Sequence, residues 1–293
     1  MTVQTLDLCF QDTPGIIAAH LIQSGDSLAL IETGPGSCHT ALLNSLNGLG
    51  VSPNDIKHVF LTHIHLDHAG GAGWWAQQGA QVYVHGKGAM HVIDPAKLIE
   101  SATRIYGDRM ESLWGPILPA PAEQVTILRD GEKVIIGDIE IEAWDTPGHA
   151  RHHLAYVVND VCFTGDVAGV RLQGCDYLSV AAAPPQFEPA PYMASVDRLL
   201  AANFSKLYLA HFGGVSDPKT HLERYRHAVD AVYQNVSGWM SQGLRGEELA
   251  KRYATSERLV SRLDEAEWAL YELANGTAMC AAGIELYVTK AAS

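Results

Sequence analysis

The sequence of 293 residues has neither a regular cysteine pattern nor a long uninterrupted apolar run. An odd number of cysteines without repeated spacing does not indicate a disulfide framework and favours a reducing compartment; they are Cys9, Cys38, Cys162, Cys175 and Cys280. The run of about 18 apolar residues that predicts a membrane-spanning helix is missing. The opening residues lack the basic stretch and apolar run of a signal peptide. We therefore expect a cytoplasmic protein with no membrane partner.

Basic residues are scarce, with 20 Lys and Arg against 33 Asp and Glu and a formal net charge of -13. Nucleic-acid binding needs a basic face that neutralises phosphates, so this balance argues against a nucleic-acid partner. Apolar residues make up 47% of the chain, which is enough for a sizeable core. The composition favours an enzyme or binding protein for a small, neutral or cationic molecule.

Short β-like runs alternate with helical stretches in an α/β pattern up to about residue 215. Strands are predicted at residues 16–22, 28–32, 57–61, 81–85, 125–128, 133–136, 139–144, 154–158, 161–164 and 206–210. Helices are predicted at residues 41–49, 70–78, 94–114 and 194–202. From residue 217 the pattern is helical, with Asp217 and Ser256 as N-caps of helices at 220–240 and 256–275 and a further helix at 247–254. We predict a body over residues 1–215 and a C-terminal helical appendage over 216–293.

Four side chains able to bind a metal fall within six residues, in the segment His63-Ile64-His65-Leu66-Asp67-His68. Residues two apart in an extended segment project to the same side, so His63 and His65 can reach one ion at about 2.0–2.1 Å. Adjacent side chains diverge, so Asp67 and His68 suit a second metal or a water beside the first. The alternative is a surface loop that is rich in histidine by chance, and the density of ligand types favours the metal site.

Three more metal-competent side chains stand at the ends of predicted strands, each beside glycine, proline or a strand terminus. They are His149 in Pro147-Gly148-His149, Asp166 in Thr164-Gly165-Asp166, and His211. Any one of them alone is more often a turn residue or a hydrogen-bonded core group. Together they repeat the pattern of the first cluster.

The order of these motifs resembles the metallo-β-lactamase superfamily over roughly residues 16–213. The resemblance implies a four-layer αβ/βα sandwich, with residues 1–215 as the catalytic domain. It also implies two metal ions, one held by His63, His65 and His149, the other by Asp67, His68 and His211, with Asp166 as the bridge. The family usually has Asp where this chain has Glu32, in Ile31-Glu32-Thr33-Gly34. A longer carboxylate there would change how a ligand histidine is oriented.

Such a site predicts hydrolysis by a metal-bound hydroxide, with Asp67 as the catalytic residue that orients the nucleophile and moves its proton. Zinc leads the candidate metals because the ligands are imidazoles and carboxylates, with iron and manganese as alternatives. A lactone, an ester or a thioester is the expected substrate. A ligand-sensing or regulatory protein of the same fold with little catalysis is the alternative function.

Residues outside the ligand set leave several alternatives open. An aromatic-lined entrance would suit a hydrophobic substrate, although the same side chains could pack loop against body; they are Tyr106, Met110, Trp114, Phe187 and Tyr192. Arg151 could meet a substrate carboxylate, and Cys175 could line the pocket. A thioesterase of the glyoxalase II kind would also have C-terminal helices, but Lys251-Arg252 is the one basic candidate for its thiol cofactor. The C-terminal helices could instead pack on the body or form a homodimer.

Overall fold

The computed structural model of the chain describes residues 1–291 and contains two compact units. Unit 1 comprises Met1–Asp145 and His152–Thr164. Unit 2 comprises Thr146–Arg151 and the chain from Gly165 onward. Each unit therefore takes two separate stretches of chain. The predicted division into a catalytic domain over 1–215 and an appendage over 216–293 stays a prediction.

Six strands form the first sheet of unit 1, in the order β1-β2-β3-β4-β5-β6. They are β1 (Thr2–Asp7), β2 (Ala18–Ser24), β3 (Ser27–Ile31), β4 (His58–Phe60), β5 (Gln81–His85) and β6 (Val125–Leu128). The first three strands run antiparallel and β3 to β6 run parallel. The carboxyl ends of the parallel strands therefore lie at one edge of the sheet. β1 has no counterpart among the predicted strands.

A hairpin joins β2 and β3, near the strands predicted at residues 16–22 and 28–32. Ser24 pairs with Ser27 across the turn, and Gly25 takes a φ of 57°. This left-handed conformation costs glycine little because it has no Cβ. The turn fixes the register between β2 and β3. On its other side β3 pairs parallel with β4, where Ile31 lies beside Phe60. Glu32 directly follows β3, and the histidine cluster follows β4.

Four further strands of unit 1 pair antiparallel in chain order. They are β7 (Lys133–Ile136), β8 (Ile139–Asp145), β9 (Leu154–Val158) and β10 (Val161–Gly165). Buried residues alternate with more exposed ones along β8, as expected for a strand with one face on a core. The fully buried Tyr156 of β9 donates its hydroxyl to the carbonyl of Leu61 at 2.8 Å. That bond ties the second sheet of unit 1 to the segment leading into the histidine cluster.

Six helices complete unit 1. They are α1 (His39–Gly48), α2 (Leu66–Ala69), α3 (Ala72–Gln77), α4 (Gly86–Ile93), α5 (Ala96–Tyr106) and α6 (Met110–Trp114). The single helix predicted over residues 94–114 is wrong. Gly107 adopts a φ of 54° directly after α5, and a short 3-10 turn then leads into α6. A positive φ cannot continue a right-handed helix, so the glycine divides the predicted element.

Unit 2 contains a two-stranded hairpin and five helices. They are α7 (Pro189–Ala202), β11 (Lys206–Leu209), β12 (Gly213–Val215), α8 (Pro218–Ser241), α9 (Gly246–Ser261), α10 (Glu265–Ala274) and α11 (Thr277–Ala291). β11 and β12 pair antiparallel. α7 packs against α8, and α11 packs against α9. Across residues 1–291, every helix is too short or too polar to cross a lipid bilayer.

Asp217 is the N-cap residue of α8 as predicted, whereas the predicted boundary at Ser256 is wrong. Ser256 lies inside α9 and caps nothing. The chain leaves α9 through Arg262 at a φ of 56°, and Asp264 then begins α10. The Asp264 carboxylate accepts from the Glu267 amide while the Glu267 carboxylate accepts from the Asp264 amide, which is a capping box. The Asp-x-x-Glu spacing is the sequence signal that places this boundary.

α11 is a helix that the periodic pattern does not predict. Its mid-helix Gly283 is buried, and a Cβ there would overlap the carbonyl oxygen of Ala182. The glycine costs helix propensity but allows close approach of the helix to the loop before α7. The sequence therefore shows the propensity penalty, while the packing that offsets it appears only in the fold.

Candidate metal centre

The histidine cluster of unit 1 follows directly from the parallel strand β4. The chain leaves β4 through an irregular segment, residues 61–65, which bends at Thr62 and His65 and then turns into α2. His63 is fully buried, and its Nε2 atom lies 3.0 Å from Nδ1 of His65. The ring centroids of His63 and His68 are 4.0 Å apart. The predicted convergence of His63 and His65 is therefore present, and His68 joins them from the first turn of α2.

Glu32 orients His68. Its carboxylate is 1% exposed, and Oε1 accepts from Nδ1 of His68 at 3.1 Å. The Thr62 amide donates to Oε2 at 3.3 Å, and the Thr62 hydroxyl donates to Oε1. A carboxylate can only accept, so His68 carries its proton on Nδ1 and its lone pair on Nε2, which lies 3.5 Å from Asp67 Oδ2. Metal-binding histidines commonly have this second hydrogen bond.

The loop that carries Glu32 is bonded to the same short helix. The amides of Thr33 and Gly34 both donate to the carbonyl of His68, at 2.9 and 3.1 Å. Glu32 itself has a φ of 66°, which is unusual for a residue with a side chain. Backbone hydrogen bonds and the buried Glu32 carboxylate thus hold His68 in place. The Glu32 carboxylate, which stands where the family usually has Asp, reaches Nδ1 of His68 directly.

Two neighbouring histidines of unit 1 received no role from the sequence. His152 and His153 are both buried, at 4% and 0% exposure. The ring of His153 lies 5.1 Å from that of His63, and the ring of His152 lies 5.7 Å from that of His65. Their closeness to His149 in the sequence was the available signal. The structure makes them neighbours of the metal-competent cluster.

Unit 2 brings together the other three predicted ligands. Nε2 of His149 lies 3.4 Å from Oδ2 of Asp166, and Nε2 of His211 lies 3.6 Å from Oδ1 of the same carboxylate. All three residues are at least nine-tenths buried. The two oxygens of Asp166 therefore face two different imidazoles. A carboxylate placed in this way is able to bridge two metal ions.

A backbone carbonyl orients the ring of His149, and a backbone bond holds the main chain at His211. His149 donates from Nδ1 to the carbonyl of Ala181 at 2.9 Å, which places its lone pair on Nε2 towards Asp166. His211 lies between β11 and β12, and its carbonyl accepts from the Arg171 amide at 2.6 Å. Each histidine is thus fixed by main-chain contacts within unit 2.

The residues of unit 1 that could hold a metal are those whose ligand atoms lie close together. Among the described residues of unit 1, Glu32, His63 and His68 have ligand-type atoms within 4.8 Å of one another, and all three are buried. Glu32 accepts from His68 there, so the two imidazoles are the groups placed to bind a metal. Imidazole and carboxylate donors suit divalent zinc, iron and manganese. A histidine that faces a carboxylate with one nitrogen and binds with the other is the common arrangement at such sites. The residues therefore fit a metal ion chemically.

Several expected pocket residues turn out to be structural. Phe187 and Tyr192 are buried within unit 2, at 1% and 0% exposure, so they do not form an open aromatic entrance. Trp114 stacks on Phe10 with ring centroids 5.7 Å apart. The Arg151 guanidinium forms an ion pair with the Glu188 carboxylate, with Nε 2.5 Å from Oε1. These contacts support the packing alternative for these residues.

Comparison with known proteins decides the family. A sequence profile described as the metallo-beta-lactamase superfamily matches residues 12–211. The chain belongs to the metallo-beta-lactamase superfamily. The match spans the histidine cluster and the dispersed residues His149, Asp166 and His211. Membership was predicted from the order of these motifs and is confirmed.

Relatives within the superfamily extend over most of the chain. The metallo-beta-lactamase fold-containing protein ST1585 of Sulfurisphaera tokodaii is 28% identical over 214 residues, which is 69% of this chain and 77% of that protein. The structure of the family protein TTHA1429 from Thermus thermophilus covers 99% of this chain and 94% of its own, with a TM-score of 0.68 at 22% identity. A B3 metallo-beta-lactamase described as having an active-site glutamic acid is similar at 25% identity and a TM-score of 0.54, covering 74% of this chain and 84% of its own. These likenesses confirm the predicted αβ/βα fold class and its C-terminal helices.

Proposed function

We propose that this metallo-beta-lactamase superfamily member is a metal-dependent hydrolase with a dinuclear site. In the proposal His63, His65 and His149 hold one ion, Asp67, His68 and His211 hold the other, and Asp166 bridges them. The observation that carries it is the position of Asp166, whose two oxygens face His149 and His211 at 3.4 and 3.6 Å. A carboxylate shared between two imidazoles in a buried site is more readily explained by two ions than by one.

Zinc is the proposed metal, with iron and manganese as alternatives. Two such ions would supply Lewis acidity that lowers the pKa of a bound water to about 7 and polarises the carbonyl under attack. The chain's own contribution is to keep the donor nitrogens aimed inward. The Glu32 carboxylate does this for His68 and the Ala181 carbonyl does it for His149.

Asp67 is the proposed catalytic residue. Its side chain is 22% exposed, whereas the adjacent His68 is fully buried. It is therefore the acidic group of the cluster that can meet both the substrate and the surrounding water. Such a carboxylate can orient the attacking water, accept its proton and deliver it to the leaving group.

The proposed substrate is a lactone, an ester or a thioester. All three present a carbonyl carbon to a nucleophilic water and release an oxygen or sulfur leaving group. The negative charge of the whole chain favours neutral or cationic substrates over polyanions. RNA processing is disfavoured on the same ground.

The test combines metal analysis with a substrate panel. We expect about two equivalents of metal per chain and turnover of at least one carbonyl class among generic lactones, esters, thioesters and phosphodiesters. His63→Ala and Asp67→Ala should each lower kcat/KM by roughly 10³-fold or more, because several kcal/mol of transition-state stabilisation are removed. The exposed His227 supplies the matched control, since His227→Ala should leave kcat/KM unchanged.

Two outcomes would contradict the proposal. Undiminished turnover by metal-free protein would exclude metal-dependent hydrolysis. Full metal loading without turnover of any class, together with tight binding of a small molecule, would identify a sensor of the same fold.

A further inference from the structure

Two buried tyrosines of unit 2 join the residues that carry the proposed ligands. Tyr192 lies on α7 and Tyr225 on α8, and both are fully buried. Their hydroxyl oxygens are 2.7 Å apart. The Tyr192 hydroxyl also lies 2.7 Å from the carbonyl oxygen of Asp166, and the Tyr225 hydroxyl lies 3.4 Å from the Ala181 amide.

Counting protons fixes the direction of this chain of hydrogen bonds. A carbonyl can only accept, so Tyr192 donates its single proton to Asp166. Tyr225 must then donate to Tyr192, and its oxygen accepts from the Ala181 amide. The chain therefore runs from Ala181 through both hydroxyls to Asp166. Burial raises the pKa of both tyrosines, so the hydroxyls keep their protons.

The far end of the chain reaches His149. The Ala181 carbonyl accepts from His149 Nδ1 at 2.9 Å, while the Ala181 amide donates to Tyr225. One residue is thus held at its amide by a tyrosine and at its carbonyl by a proposed ligand. The tyrosine pair connects Asp166 to the group that sets the ring orientation of His149.

Two glycines show how closely this packing is fitted. A Cβ at Gly148, directly before His149, would overlap the backbone of Tyr192. A Cβ at Gly169, three residues after Asp166, would overlap the ring of Tyr225. Both ligand loops therefore approach the tyrosines more closely than a side chain would permit.

We propose that Tyr192 and Tyr225 are positioning residues whose linked hydroxyls set Asp166 and His149 relative to each other for metal binding. The inference rests on the proposed function, because it assigns these ligands to a metal. It gives α8, which belongs to the predicted helical appendage, a part in building the site. Neither tyrosine touches the reacting atoms.

The test is a double-mutant cycle on metal affinity in the full-length protein. Tyr192→Phe and Tyr225→Phe should each weaken Zn²⁺ binding by about 10- to 100-fold, the usual effect of losing a partner that orients a ligand. Because the hydroxyls act as one linked unit, the double variant should bind about as weakly as either single variant. A chelator competition titration measures each dissociation constant without relying on activity.

Tyr271→Phe is the matched control. The Tyr271 hydroxyl is also buried, donates to the Tyr177 carbonyl at 2.8 Å and accepts from the Leu172 amide at 3.0 Å. Its loss should lower the melting temperature to a similar extent while leaving Zn²⁺ affinity unchanged. A general loss of packing would instead weaken Zn²⁺ binding in all three variants.

A spectroscopic readout adds a second criterion. In metal-free protein, the ¹⁵N-labelled imidazole of His149 should show a shifted Nδ1–H resonance in Tyr225→Phe but not in Tyr271→Phe. Unchanged Zn²⁺ affinity and an unchanged resonance in both tyrosine variants would overturn the inference. If wild-type protein itself bound no metal, the proposed function would fail, which is a distinguishable result.

Discussion

The metal-competent residues of the two units are held by different means. In unit 1 they lie within six positions of chain, and a buried carboxylate, Glu32, orients His68. In unit 2 they are dispersed at positions 149, 166 and 211, and a neutral group, the Ala181 carbonyl, orients His149. The difference teaches that a short motif can be held by one charged neighbour. Dispersed ligands need a scaffold of backbone carbonyls and hydroxyls.

The largest expected effect tests whether unit 2 depends on neutral groups. His221 of α8 donates from Nε2 to the Ala168 carbonyl at 2.9 Å, two residues beyond Asp166. Burial lowers the pKa of His221 to about 4, from an unfolded value of about 6.5. Between these values the unfolded chain binds the proton more readily, so stability is lost as the pH falls from about 6.5 to about 4. The loss attributable to His221 is about 3 kcal/mol.

Urea unfolding of metal-free protein at about pH 7.5 and pH 4 measures this loss. His221→Gln keeps a side-chain N–H for the Ala168 carbonyl but does not titrate. The free energy of unfolding of this variant should therefore fall between about pH 7.5 and pH 4 by about 3 kcal/mol less than that of the wild type. The exposed His227 gives the control variant, His227→Gln, which should follow the wild type. Equal pH dependence in wild type and His221→Gln would contradict the expectation.

The next effect tests the charged support of unit 1. Glu32→Gln keeps the size of the side chain but removes the charge that favours a proton on His68 Nδ1. We expect Zn²⁺ affinity to fall by about 10- to 100-fold. Glu32→Asp keeps the charge and should lose less if reach is secondary. Chelator competition provides the measurement, with the exposed Glu123→Gln as control. Glu32→Gln binding Zn²⁺ like the wild type would show that unit 1 does not depend on a charged neighbour of His68.

The smallest effect tests the close packing of unit 2. Gly148 and Gly174 both have positive φ, at 138° and 78°, so alanine strains the backbone by roughly 1–3 kcal/mol at either position. Gly174 has open space around it, whereas a Cβ at Gly148 meets the Tyr192 backbone. Gly148→Ala should therefore destabilise unit 2 by about 1–3 kcal/mol more than Gly174→Ala. Chemical denaturation compares the two variants, and equal losses would show that the close approach carries no cost.

Local rules predicted most strands and missed features that depend on single positions. The hairpin at Gly25 was predictable because glycine satisfies the turn at little cost. The break at Gly107 and the capping box at Asp264 also have local signals, but helical periodicity ran through both in the prediction. The helix α11 was not predicted, because its mid-helix Gly283 lowers the local helix propensity. That glycine is explained only by its close packing against Ala182.

In the candidate site, likewise, the residue types were predictable and their hydrogen-bond partners were not. All seven predicted ligands were named from residue type, motif order and position at strand ends. Their joint binding of two metal ions stays a prediction. The cytoplasmic location and the homodimer also stay predictions. Tyr192 was expected at a pocket entrance and instead donates to the Asp166 carbonyl. Tyr225 of α8 bonds the Tyr192 hydroxyl in turn. Side-chain hydroxyls that bond distant backbone have no periodicity from which to predict them.

The sequence by itself determined the superfamily, the fold class and the identities of the metal-competent residues, because ligand chemistry and strand-end glycines are local properties. The tertiary structure alone decided how those residues are oriented. It set Glu32 against His68 and Ala181 against His149. The physical reason is that a hydrogen bond depends on distance and direction in space, whereas these partners are separated by 36 and 32 positions along the chain.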